Sequence, residues 1–94
     1  MPYVLRYHPD VARLDVPRIG GAARLRVARA IEDRLVQGPD QYGKPLRGTV
    51  KGLWSLRIGD YGAVYQIDGG GVHVLRVGHR REAYEEAIVL KRKK

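Results

Sequence analysis

A chain of 94 residues and 10.6 kDa has room for one small domain, 1–94, and one core. Eighteen Lys and Arg against ten Asp and Glu give a net charge of +8, which on so small a surface favours a polyanion or an acidic protein as partner. The chain has no cysteine, which excludes disulfides, thiolate zinc sites and a Cys nucleophile. No apolar run approaches the roughly 18–20 residues of a membrane span, and the first residues lack the apolar stretch of a signal peptide. The expectation is a soluble, cytoplasmic protein.

Residues 3–8 alternate and carry β-branched and aromatic types, so they read as a strand. Pro9-Asp10 ends it, and Asp10 suits the cap of a short helix through about Leu14. Pro17 fits the first turn of a second helix. Ile19, Ala23, Val27, Ala30, Ile31 and Leu35 form one apolar stripe at helical spacing, with Arg24, Arg26, Arg29 and Arg34 off it. Gly20-Gly21 weakens the start of this helix, and Gly38-Pro39 ends it. Residues 38–48 read as a loop. Three strands follow: Leu53–Ile58, Tyr61–Ile67 and Val72–Val77. The turns Gly59-Asp60 and Asp68–Gly71 join them into an antiparallel meander. Tyr84–Lys91 suits a short terminal helix, and 91–94 is a basic tail. The fold class is α+β, ordered β-α-α-β-β-β with a short C-terminal helix. The twisted, mainly antiparallel sheet carries two helices on one face and leaves its other face open to solvent or a partner.

The histidines His8, His73 and His79 lack the spacing of a metal site, and no cofactor is expected. His73 reads as a half-buried strand residue. Ser55 lies mid-strand, without a nucleophile elbow. Glu82, Glu85 and Glu86 read as a solvated helix face. The glycines 69–71 form a turn, since no GK[ST] ending follows them. Alternation along the first meander strand puts Trp54, Leu56 and Ile58 toward the core. It sends Leu53, Ser55 and Arg57 to the other face. The third strand ends in His79, Arg80 and Arg81, followed by Tyr84. Such a set can bind phosphate and move protons, with Arg47 and Lys51 on the approach to the same sheet. Ribonuclease chemistry needs these parts: a base for the ribose 2′-OH, cations for the charged phosphorane and an acid for the leaving oxygen.

At these residues the sequence resembles the RelE/ParE superfamily of bacterial toxins from toxin–antitoxin pairs. The matching stretches are Lys44–Gly48, Gly52–Tyr61, Val64–Asp68 and Leu75–Tyr84, together with Leu5–Asp10 and the Ala30-Ile31 helix. The resemblance implies a compact α+β fold and a neighbouring, often acidic antitoxin that wraps the toxin. RelE-type members enter the ribosome and cut mRNA without a metal. On that likeness Arg80 or Arg81 would hold the scissile phosphate, and Tyr84 would stack on a base or assist proton transfer. Lys51 and Arg57 would contact the RNA backbone, with Arg47 and His79 beside them. The family pattern carries arginines where this chain has Ser55 and Gly62. The implied function is therefore a RelE-like, ribosome-dependent mRNA endoribonuclease, attenuated at two positions. The alternatives are a ParE-like inhibitor of DNA gyrase, or a module that only binds its antitoxin. The departures at Ser55 and Gly62 fit a weakened toxin, another target, or replacements that make a lethal gene clonable.

Overall fold

The computed structural model describes residues 2–46 and 52–92. Five strands form one sheet in the order β1-β5-β4-β3-β2. They are β1 (Val4–Tyr7), β2 (Lys44–Pro45), β3 (Trp54–Ile58), β4 (Tyr61–Asp68) and β5 (Gly71–His79). The meander β3-β4-β5 is antiparallel as expected, and β1 joins β5 in parallel. Both hairpins turn on two residues, with positive φ at Gly59 and Gly69. A left-handed first turn position is what a tight hairpin of this hand needs, and glycine supplies it without steric cost.

After β1 the chain enters a π-helical turn, Val11–Asp15, which runs into α1 (Val16–Arg18). Pro17 accounts for the widening. It has no N–H and its ring crowds the carbonyl four residues back, so the Val16 N–H reaches Val11 instead. Asp10 does not cap this segment. Its own N–H donates to His8 Nδ1 at 3.1 Å, and its backbone is already helical. The long helix α2 (Gly21–Gln37) takes in Gly21 of the pair expected to weaken its start, with Gly20 as its extended cap. Val27, Ile31 and Leu35 of the expected stripe are buried, and Ala23 and Ala30 are half-buried.

The segment read as a loop holds two elements: α3 (Pro39–Tyr42) and β2. Pro39 starts the short helix and also accepts a 2.5 Å hydrogen bond from the buried Tyr65 hydroxyl. A Cβ at Gly43 would collide with that hydroxyl, so the close approach of loop and sheet requires glycine there.

The main core lies between the sheet and the helices. It joins Val11, Val27, Ile31 and Leu35 to Leu56, Ile58, Ala63, Tyr65, Val72, Val74 and Val77. Trp54 packs against it and is only half-buried. The expectation of an open second sheet face is corrected. The terminal helix, α4 (Arg80–Arg92), is longer than expected and follows β5 without a loop. Its Ala87, with Tyr84, Ile88 and Leu90, closes a second core over Leu53, Val64 and Leu75. Burying an aliphatic side chain of this size contributes about 1.5–3 kcal/mol, and three apolar residues on one face give α4 a reason to dock.

Candidate functional site

Register brings the expected residues together. Arg57 of β3 lies directly opposite Gly62 of β4, and Gly62 opposite Gly78 of β5. All three belong to the face that α4 covers. Because α4 starts at Arg80, its first turns cross this point. A Cβ added at Gly62 would stand 3.2 Å from both Arg80 Cγ and Tyr84 Cε1. The stem of Arg80 and the ring of Tyr84, one helical turn apart, thus occupy the space that a side chain at position 62 would fill. This is the physical account of Gly62 in a strand. Glycine weakens a strand, and close approach of a neighbouring element is the usual compensation.

The Arg80 backbone N–H donates to the Asp60 carbonyl at 3.1 Å, which fixes where the helix begins. Its side-chain Nε is buried and has no hydrogen-bond partner among the described residues. No carboxylate lies within ion-pair distance of Arg80, Arg81 or Arg57 among the described residues, since the pairs present involve His8, Arg13, Arg18 and Arg76. Two arginines in the first turn of a helix also lie against the positive end of its dipole. The corner therefore gathers positive charge that no carboxylate among the described residues pairs, Glu82 of the same helical turn included.

Ser55 sits on the same face, opposite Val64 and beside Lys44 of β2. Arg81 is exposed in the first turn of α4. His79 is not part of the cluster. It pairs with Tyr61 and stacks on it, ring centroids 4.7 Å apart. Tyr61 packs against the main core, so this pair lies across the sheet from Gly62. The expected contacts Arg47 and Lys51, and the end of the basic tail at 93–94, lie outside the described residues. The described residues hold no group of three His, Asp or Glu side chains placed to bind a metal.

What the sequence reading missed is the clamp behind the site. Arg76 is buried within β5 and makes a two-pronged bond to Asp15: Nη2 to Oδ1 at 2.6 Å and Nε to Oδ2 at 3.0 Å. Asp15 Oδ2 also accepts the Val77 backbone N–H at 2.8 Å, along the stretch of β5 that β1 leaves unpaired. The other side of Arg76 meets Glu86 of α4 at 3.1 Å, and Glu86 takes Arg18 at 3.2 Å. The hydrogen bond and charge of Asp15 raise the Arg76 pKa despite its burial. The π-turn, β5, α1 and α4 are thereby tied through one guanidinium. A lone charge in the apolar run Val72–Val77 was the available signal, because a buried charge requires a partner. A bulge at Val64/Tyr65 hid it: pairing resumes at Arg76 opposite Val64, so simple alternation fails there.

Fold and cluster together define a small basic α+β domain with a cationic corner where a strand runs into a helix. Residues 10–84 match the family described as the ParE toxin of the type II toxin–antitoxin system parDE. Toxin RelE of Mycobacterium tuberculosis is 33% identical over 85 residues, spanning 88% of this chain and 87% of that protein. Toxin RelG of the same organism is 35% identical over 86 residues, 89% of this chain and 98% of that one. The toxin–antitoxin complex RelBE2 from M. tuberculosis matches with a TM-score of 0.74 and 31% identity, over 85% of this chain and 100% of that chain. The free E. coli toxin RelE, as a double mutant, shares the fold over the full length of both chains, with a TM-score of 0.70 and 24% identity. The chain belongs to the RelE/ParE family of type II toxin–antitoxin toxins, and it is a RelE-like toxin.

Proposed function

We propose that this toxin cuts mRNA on the ribosome and that a cognate antitoxin silences it. The observation that carries the reading is the Arg80 side chain, laid over Gly62 beside Tyr84 and opposite Arg57, with its Nε buried and unpartnered. An unpaired guanidinium next to a phenol suits a phosphodiester. A base takes the 2′ proton, the 2′ oxygen attacks phosphorus to close a 2′,3′-cyclic phosphate, and the 5′ oxygen leaves as a hydroxyl with a proton from an acid. Arg80 stabilises the charge that builds on the phosphoryl oxygens. Tyr84 stacks on a base or passes a proton, Arg57 holds the backbone, and Arg81 reaches for a neighbouring phosphate. Gly62 removes one cation from the family's set. Losing one such contact costs about 10²–10³ in rate, so the activity is expected to be attenuated.

The antitoxin is supported by the complex of the relative at 31% identity, whose structure pairs toxin with antitoxin. Since α4 covers the sheet face first expected to receive it, the available surface is elsewhere. An apolar groove of about 350 Å³ runs between the π-turn and α2, lined by Tyr7, Val11, Val16, Val27, Ala28 and Ile31. Inhibition of DNA gyrase is the second reading, favoured by the ParE family match and by the missing arginines at Ser55 and Gly62. Pulse labelling after induction separates the two. The ribonuclease reading expects methionine incorporation to stop first. Thymidine incorporation stopping first, with cleaved DNA accumulating, would overturn it.

A further inference from the structure

A second arginine cluster lies on the opposite side of Arg57 from the site. Arg26, Ala30 and Arg34 follow one another at four-residue spacing on α2, so they share one face over about 12 Å of helix. They line an open basin of about 460 Å³ with Arg57, Gly59 and Asp60 of the β3-β4 hairpin. Ala30, being small, leaves the floor of the basin clear between the two longer side chains. Arg26, Arg34 and Arg57 are exposed. None has a carboxylate within ion-pair distance among the described residues. Three arginines and one aspartate, Asp60, thus line one concave surface. Helix packing does not explain this choice, since Val27, Ile31 and Leu35 supply the buried contacts of α2.

We infer that this basin binds the phosphate backbone of RNA next to the segment being cut. The inference rests on the ribonuclease reading for its substrate. It adds Arg26 and Arg34 as anchoring residues that touch neither Gly62 nor Tyr84. Arg57 is the shared element. It borders the basin and its strand position lies opposite Gly62, so RNA seated on both would turn around the end of the β3-β4 hairpin between α2 and Arg80. RNA rather than an acidic protein is favoured because the basin is polar and arginine-lined. Arginine forks bind phosphate oxygens two at a time, and an apolar seat for a protein segment lies elsewhere.

The test compares three double variants of the full chain. They are Arg26→Gln with Arg34→Gln, the charge-keeping Arg26→Lys with Arg34→Lys, and the control Arg13→Gln with Arg29→Gln. Each is titrated with a short fluorescent single-stranded RNA over a range of salt, and each is assayed for cleavage of ribosome-bound mRNA. Contact with two phosphates predicts that the first variant lowers the slope of log affinity against log salt by roughly 1.4, at about 0.7 per phosphate. It also raises KM with kcat held. The lysine pair retains the slope, and the control, with the same change in net charge, leaves it intact. An unchanged slope in the glutamine pair overturns the inference, as does weakened antitoxin binding with RNA binding intact. If the wild-type chain cuts no mRNA while the slope still drops, the basin stands and the ribonuclease reading falls.

Discussion

At the scale of single residues, Gly62 is the position where the family's pattern and this chain's packing meet. A side chain there must push aside Arg80 and Tyr84, both 3.2 Å from the site of its Cβ. Gly62→Arg is therefore expected to lower stability by about 1–3 kcal/mol, the usual cost of overpacking, and to leave cleavage no faster, because the cation it restores displaces Arg80 and Tyr84 from their places. Denaturant midpoints and a cleavage assay on the same preparation check this, and a stable, more active variant would contradict it. His73 offers a second test. Burial lowers its pKa first, and Arg6, His8 and Lys91 lower it further. The unfolded chain then binds the proton more readily than the folded one. Stability is full above the ordinary histidine range, near 6.5, falls as pH drops through it, and levels off below the folded value. His73→Gln is expected to flatten that part of the pH profile. An unchanged profile in urea melts would show that the acid sensitivity lies elsewhere.

At the scale of elements, the Asp15–Arg76–Glu86–Arg18 clamp decides where α4 sits, and α4 carries Arg80 and Tyr84. The carboxylate of Asp15 is buried against Arg76. Removing one partner of such a pair leaves an uncompensated charge and costs about 3–5 kcal/mol. Asp15→Ala is expected to lose that much by chemical denaturation. Glu86→Ala is expected to lose less, because Glu86 is one-third exposed, and to speed amide exchange in α4 relative to β5. Equal protection in both elements would argue against the clamp. The meander and the α2 stripe were legible because Trp54–Ile58 and Ile19–Leu35 follow the two simple periods. The covering of the second face was not. Tyr84–Lys91 read as a short terminal helix with a solvated glutamate face beside it, and only the tertiary pairing of Leu53, Val64 and Leu75 gives Tyr84, Ala87 and Ile88 a surface to meet. The cluster of Arg57, Gly62, Arg80 and Tyr84 was legible by strand parity and by resemblance. His79 was misplaced because residue 79 faces the opposite side from residue 78. The clamp was hidden by a bulge that no spacing in the chain announces.

For the molecule as a whole, a charge of +8 on 94 residues sets how partners arrive. An acidic antitoxin should associate faster at low salt, with dissociation much less affected. Stopped-flow mixing across ionic strength measures this, and a salt-insensitive on-rate would show that the positive field does not steer the encounter. The same charge is uneven. It gathers at the corner of Arg57 and Arg80 and along α2, while the groove beside the π-turn is apolar. Under the proposed reading, substrate and inhibitor therefore have different surfaces to use. The central claim is that this corner cuts RNA. Primer extension on an mRNA translated in a reconstituted system, with the chain and its Arg80→Ala variant side by side, tests it most directly. The account expects cuts within codons from the wild-type chain, and about 10²–10³ fewer from the variant. Intact message with the wild-type chain, or equal cutting by both, would contradict it.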